Sequence, residues 1–406
     1  MTILYLTYFF DPDLSAGSFR NTPFVDELAR QLTPADTIHV ITTQPNRYSS
    51  FSMSAPAREE RSPADGARVW VERVSVPAHG GGMASQIWSF ISYFQAVHRL
   101  THNHRYDRVM ASSSRLFTAF LGARIARRQH STLSLDIRDL FRESILDVLT
   151  NRPLKRLLDP VLSAVERYTF GQTQHINLVS AGFQPYFKSY PQANYSFFTN
   201  GIDDEFLAAF CPTSDSKQPN SFRTILYAGN IGEGQGLHTI IPQAARLLGM
   251  NYRFVVIGDG GARHKLETAV TADGVTNVEL HPPVSRHELR DAYAQADYLF
   301  VHLNDLDAFR RVLPSKLFEY GATDKPILAG VSGYAAQFIR THLDNTLLFA
   351  PGNAAELIRL VNQTPYYRQT RPHFVQQFQR RPIMADMARH WLSPAPVFQQ
   401  TASVQA

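Results

Sequence analysis

A single cysteine, Cys211, stands in 406 residues. That excludes an intramolecular disulfide and any cysteine-cluster metal site, and it fits a reducing compartment. Only 18% of residues are charged, against 44% hydrophobic, which excludes a disordered chain. No uninterrupted apolar run reaches the ~20 residues that cross a bilayer, so any membrane contact is expected to be peripheral. No Ser-His-Asp or metal-binding histidine spacing is present; His98, His102 and His104 cluster in a basic polar stretch that reads as a solvated turn. Met1–Phe10 lacks a basic leader and is stopped by Asp11-Pro12, so it is expected to be a first buried strand of a cytoplasmic protein and not a signal peptide.

What is present is a long chain with folded composition, and its length favours two α/β domains. The net charge is +5 and the pI about 9.2. Arg99, Arg105, Arg108, Arg115, Arg124, Arg127 and Arg128 crowd one region with Asp107 as the opposing carboxylate. Such a patch suits anionic lipid head groups or pyrophosphate, and equally a solvated helix surface. Nucleic acid is not an expected partner.

The first third alternates strand-like and helical pieces. Ile3–Phe9 reads as a strand, Asp11–Ser18 with Gly17 as a loop, and Asn21–Leu32 as a helix. Strands follow at Thr37–Thr43 and Val69–Val76, with 49–67 expected to be loop. Gly80-Gly81-Gly82 offers a hinge before an aromatic helix, Ala84–Leu100, either buried or partly facing a membrane surface. Thr132–Ile137 is a strand whose end is expected to deliver Asp136, Arg138 and Asp139 into a loop, where ligands gather in open parallel sheets. Pro212–Asn220 reads as a linker, after which strands and helices restart. The expected domains are 1–210 and 211–380, then a C-terminal helix in 381–395 able to cross back to the first domain, and a flexible tail at 396–406.

The stretch from Val312 to Ala329 has the pattern loop, helix, strand. Pro314-Ser315 starts the helix and Lys325-Pro326 closes it. Ser315 falls at an N-terminus, where free N–H groups and the dipole attract an anion, and Lys316 adds a full positive charge. Glu319, about one turn on, is placed to accept from a diol such as ribose. The same residues also read as an ordinary capped helix with a surface lysine and glutamate.

Tyr227-Ala-Gly-Asn-Ile-Gly-Glu-Gly-Gln-Gly-Leu237, Val255-Val-Ile-Gly-Asp-Gly260, Val284–Leu289, Ala296–Leu299 and Pro314-Ser-Lys-Leu-Phe-Glu-Tyr320 occur in the order of the nucleotide domain of family-4 glycosyltransferases. Asp11-Pro12 through Asn21, Asp136-Ile-Arg-Asp139 and Asn200-Gly-Ile-Asp203 match the other half. Over about residues 1 to 390 the chain therefore resembles this family, and within it the bacterial members that build O-antigen, capsule or exopolysaccharide. The resemblance implies a GT-B fold, two Rossmann-like domains facing a cleft, and a retaining transferase needing no metal or other cofactor. It implies a nucleotide sugar, UDP-linked, as donor and a saccharide or polyprenyl-diphosphate-linked saccharide as acceptor, at the inner face of the plasma membrane. Glu319 aligns with the ribose-binding carboxylate of the family's glutamate pair. Gly229 and Asn230 line the diphosphate, although many relatives carry Arg where Asn230 stands and Lys where Gln235 stands. The pair's first carboxylate falls at Arg311; Asp305 or Asp307 could substitute.

For the chemistry, Lys316, Ser315 and the Gly229–Gly236 and Gly17 loops are expected to supply donors to the leaving diphosphate. Arg20 is either a second cation or a residue capping its own loop. Asp139 either orients the acceptor hydroxyl or pairs with Arg138 or Arg142. A nucleotide-sugar epimerase of the same fold and a non-catalytic scaffold are the competing functions.

Overall fold

The structure is a computed structural model that describes residues 1–46, 54–63, 65–77, 83–113, 116–149, 151–207 and 222–393. The expected glycine hinge at 80–82, the 210/211 boundary, Cys211, the linker at 212–220, Arg115 and the tail at 396–406 lie outside the described residues. The chain separates into two compact units. One runs to Thr199 and takes up the C-terminal segment from Arg381; the other is Asn200–Arg380.

The first unit is built on β1 (Thr2–Leu6), β2 (Thr37–Thr43), β3 (Arg58–Arg61), β4 (Arg68–Val74), β5 (Arg108–Ser113), β6 (Thr132–Ile137), β7 (His175–Leu178) and β8 (Asn194–Ser196), in the spatial order β3-β4-β2-β1-β5-β6-β7-β8. All neighbours pair in parallel except β3, which runs antiparallel to β4. That edge strand lies where the sequence reads as loop, because Arg58-Glu-Glu-Arg61 has no apolar alternation. Charge pairing across the ladder supports it instead: Arg58 Nε meets Glu72 Oε1 at 2.9 Å and Arg73 Nη2 meets Glu59 Oε2 at 2.7 Å. A polar, charged edge also blocks further strand addition.

The first helix spans Ala16–Arg30 and not Asn21–Leu32, because the Ser15 hydroxyl caps it by accepting from Ser18 N at 3.1 Å. Gly17 and Arg20 consequently sit within the helix and not in a preceding loop. The aromatic helix spans Met83–Thr101; it buries Ser89, Tyr93, Ala96 and Val97 and exposes Trp88 and Ile91. The helix Arg380–Leu392 completes one layer: its Met384, Met387, Ala388 and Trp391 join Tyr5, Phe24, Leu28, Val40 and Met110 in one core. Trp391 meets Phe24 edge-on at 5.1 Å. Each large apolar side chain so buried contributes about 1.5–3 kcal/mol, so the helix is held by its apolar stripe.

The second unit holds β9 (Arg223–Asn230), β10 (Tyr252–Asp259), β11 (Val278–His281), β12 (Tyr298–His302), β13 (Ile327–Gly330) and β14 (Thr346–Phe349), all parallel, ordered β11-β10-β9-β12-β13-β14. Strand order reverses between β9 and β12, which marks where a ligand settles in such a sheet, at the carboxyl ends of the strands. Ile225, Tyr227, Phe254, Val256 and Phe300 pack against Ile240, Ile241 and Ala244 of the helix Leu237–Leu248 to make its core.

Candidate functional site

The carboxyl ends of β9 and β10 stay in register to Gly258 opposite Gly229 and Asp259 opposite Asn230. A Cβ at Gly258, where φ is +150°, would collide with the Gly229 carbonyl, so this close approach requires glycine. At Gly229, where φ is +143°, a Cβ would lie 2.5 Å from Lys316 Nζ. Glycine there makes room for an ammonium directly on the backbone. Lys316 Nζ also lies 5.8 Å from the centre of the Tyr227 ring. It makes no ion pair among the described residues, and burial pushes its pKa down from the ordinary lysine value while Glu319 opposes that shift. A desolvated cation without a partner beside unhindered backbone is built to receive an anion.

Lys316 opens a helix of only six residues, Lys316–Gly321, and Ser315 has helical φ and ψ with no side-chain capping bond. The expected contribution of Ser315 and a helix dipole is therefore corrected: the run is too short for a strong dipole, and the lysine side chain carries the charge. Three residues on, Glu319 accepts the Tyr293 hydroxyl through Oε2 at 2.7 Å. Its Oε1 has no hydrogen bond among the described residues. Tyr293, which the sequence reading missed, fixes the carboxylate, and only its place in the helix Arg286–Gln295 pointed to it.

The Gly229–Gly236 loop is held by side-chain amides and by an ion pair of Glu233 with Lys265 at 2.6 Å. Asn230 Nδ2 donates to Gln235 Oε1 at 2.9 Å, and the same oxygen accepts Gly232 N at 3.1 Å. Buried His302, at the end of β12, holds the loop from below. Gly352 N donates to its Nε2 at 2.8 Å, which assigns the proton to Nδ1, facing the Gln235 carbonyl at 2.6 Å. Burial lowers the His302 pKa although that carbonyl pulls the other way. Arg311 closes a short turn, Phe309–Arg311. Asp305, the candidate substitute carboxylate, is gripped by Arg310 at 2.8 Å through each oxygen and by Ser332 Oγ at 2.6 Å, which hold its pKa down at about 2. Asp307 lies 3.3 Å from the same arginine.

In the first unit Arg20 does not line an open surface. It is 1% exposed, and its Nε and Nη2 bind Asp136 at 2.7 and 2.9 Å while Nη1 and Nη2 reach the Thr199 and Phe198 carbonyls. Its place is that of a core tie, neither a second site cation nor a loop cap. Asp139 is exposed at the end of β6. Gly17 packs against Arg138: a Cβ there would lie 3.0 Å from Arg138 Nη1. Arg124, Arg127 and Arg128 line a groove of about 490 Å³ with His98, His102 and Tyr168. All come from the C-terminal ends of helices that lead into β5, β6 and β7, so the groove lies at the sheet edge opposite the ligand end. Among the described residues no group of three or more His, Cys, Asp or Glu could hold a metal ion, and no helix is long and apolar enough to cross a membrane.

Two parallel sheets of this kind, each with its ligand end at a strand-order reversal, define the GT-B architecture. Solved structures share it over nearly the whole chain. They include WaaG, "a glycosyltransferase involved in lipopolysaccharide biosynthesis", at 17% identity and TM-score 0.61, covering 96% of this chain and 94% of that one. Anabaena Alr3699/HepE in complex with UDP-glucose matches at 15% identity and TM-score 0.63, covering 96% and 98%. Residues 213–377 match the family described as "Glycosyl transferases group 1", so the second unit carries a glycosyl transferases group 1 domain. A 99-residue stretch is 36% identical to the Escherichia coli (strain K12) protein described as "Putative colanic acid biosynthesis glycosyl transferase WcaI"; it covers 24% of this chain and 24% of that relative.

Proposed function

We propose that the chain is a retaining glycosyltransferase. It moves a sugar from a nucleotide diphosphate sugar to a saccharide or lipid-linked saccharide acceptor in surface polysaccharide synthesis. The observation that carries this reading is the Lys316 ammonium, unpaired and seated on Gly229, with the Tyr293-held Glu319 carboxylate one turn on. Breaking a glycosyl–diphosphate bond builds negative charge on the leaving group and positive charge on the sugar. Lys316 and the N–H groups of the Gly229–Gly236 loop are disposed to meet the first, with no metal required. Glu319 Oε1 is disposed to accept a ribose hydroxyl. The structural kin solved with UDP favour uridine as the base. The leaving phosphate takes the acceptor proton, with Asp139 orienting the hydroxyl. Lipid-linked acceptors and the arginines at 124, 127 and 128 favour work at an anionic membrane surface on the cytoplasmic side.

The test is to incubate the full chain with a panel of UDP-sugars and a polyprenyl-diphosphate-linked saccharide, following UDP release and the anomeric configuration of the product by NMR. Acceptor-dependent UDP release with the donor's configuration kept is the expected result. An inverted linkage overturns the retaining mechanism. Interconversion of the sugar without transfer marks an epimerase, and no turnover with any donor leaves a scaffold.

A further inference from the structure

Three helices of the first unit, Met83–Thr101, Leu116–Gln129 and Arg152–Phe170, lead into β5, β6 and β7. Their last turns line the groove of about 490 Å³ that holds Arg124, Arg127 and Arg128. Its volume is that of a small-molecule site. It shares no residue with the site at Lys316 and Glu319.

The charged lining has one sign. Beside the three arginines it carries His98, His102 and His130, and no carboxylate. The arginines are exposed, and none is held by a carboxylate among the described residues. Arg127 lies over the Tyr168 ring at 5.7 Å, which orients its guanidinium at the wall. Behind these polar groups, Leu121 and Ile125 form a buried apolar floor. A flat membrane surface meets the exposed guanidiniums, but only a guest that enters the groove reaches Tyr168 and that floor.

Phosphate suits this place poorly. Phosphates collect at helix N-termini, where N–H groups converge. Here helix C-termini converge, each with carbonyl acceptors and roughly half a negative charge. Such ends repel concentrated negative charge and accept from hydroxyls. A guest with hydroxyl donors, an apolar ring face and carboxylates satisfies each part of the lining. The carbonyls and imidazoles take the hydroxyls, Tyr168 and the floor take the ring face, and the guanidinium forks take the carboxylates.

We propose that this groove is a second, non-catalytic saccharide site that binds an acidic oligosaccharide, one bearing uronate carboxylates. Its place away from the ligand end lets it hold a polymer without occupying the reaction site. That role rests on the glycosyltransferase reading above; the binding itself does not.

The experiment is isothermal titration of the full chain with trigalacturonic acid, maltotriose and inorganic pyrophosphate at one ionic strength, together with sedimentation on phosphatidylglycerol vesicles. The groove variant is Arg127→Gln/Arg128→Gln. The charge-matched control is Arg99→Gln/Arg105→Gln, outside the groove. All four arginines are exposed, so both variants should melt with the wild type. Trigalacturonic acid should bind saturably, with maltotriose and pyrophosphate at least tenfold weaker. The groove variant should weaken trigalacturonate binding tenfold or more, and the control less than twofold. Equal weakening in both variants reduces the effect to diffuse attraction and overturns the site. Pyrophosphate binding tighter than the saccharide overturns it too, as does a wild type that binds no trigalacturonate. In the latter case, vesicle binding lost in the groove variant gives the arginines to a membrane surface. A UDP-dependent thermal shift of the wild type is measured alongside: its absence sinks the nucleotide site and leaves the groove standing, and its presence keeps the nucleotide site whatever the groove does.

Discussion

Replacing Lys316 by alanine separates a nucleotide site from a chance arrangement of charges. In wild type a nucleotide at 100 times its dissociation constant adds ~2.7 kcal/mol of stability, which in a unit of this size raises the melting temperature by roughly 5–10 °C. Lys316→Ala removes the one side-chain cation seated on Gly229, and the Asn230–Gln235 amides offer no charge in its place. The UDP-dependent shift should fall close to zero. Turnover should drop by about two orders of magnitude, corresponding to ~3 kcal/mol of lost transition-state stabilisation. The ligand-free protein should behave in the opposite way. Burial depresses the Lys316 pKa below the ordinary 10.5, so between the folded value and 10.5 the unfolded chain binds more protons. Stability therefore rises as pH climbs through that window, and below it the full desolvation penalty stands. Lys316→Met, which keeps the stem and removes the charge, should be no less stable than wild type at neutral pH and should flatten the alkaline rise. Differential scanning fluorimetry with and without UDP, at pH 7 to 10, reads both effects. An undiminished UDP shift in Lys316→Ala refutes the assignment.

Gly258→Ala should cost at least ~3 kcal/mol in urea unfolding, from left-handed backbone strain and collision with the Gly229 carbonyl, whereas Gly261→Ala, with nothing within 4 Å of its added carbon, should change stability by less than ~0.5 kcal/mol; equal effects would undo the close-approach argument. Arg20→Met leaves the buried Asp136 without its bidentate partner and should cost about 3–5 kcal/mol; a loss under ~1 kcal/mol in the same assay would mean the pair is not structural. His302 is held neutral by burial, its folded pKa below the unfolded 6.5, so its contribution is present above pH 6.5 and is lost as pH falls toward the folded value. His302→Asn should make the urea midpoint less sensitive to pH between 7 and 5, and an unchanged slope would mean His302 does not titrate there.

The parts of the fold that bury one apolar stripe were legible in the sequence. Thr37–Thr43, Thr132–Ile137 and Tyr298–His302 have the bounds that their β-branched and aromatic runs suggest. Elements specified by polar partners were not legible. The Arg58–Arg61 strand depends on charges supplied by β4, and the start of the Ala16–Arg30 helix depends on one hydroxyl at Ser15. The candidate site divides along the same line. Lys316 reaches Gly229 from the start of a short helix that also carries Glu319 three residues on, the order of motifs on which the family resemblance rests. Arg20 read as an available cation because sequence shows a charge but not its counterion, and Asp136 lies 116 residues away. Arg138 read as one of two alternative partners for Asp139 for the same reason: whether a charge is compensated is settled by long-range contacts.

That distinction sharpens what each unit can do. In the second unit Asp305 is held by Arg310 and Asp203 by Arg286 and Arg380, so these charges are compensated within the fold and exert little field on a ligand. Lys316 is not. In the first unit Asp136 neutralises Arg20, and Arg138 is left over. Among the described residues each unit, considered by itself, thus holds a cation that neither a carboxylate nor a hydrogen bond satisfies, Lys316 in one and Arg138 in the other, each following the carboxyl end of a central parallel strand. An uncompensated charge in a low-dielectric wall costs stability until an anion arrives. A sheet that keeps one at its ligand end therefore gains most from a guest carrying fixed negative charge and little from a neutral sugar alone. This is the discrimination that a protein drawing on diphosphate-linked sugars requires.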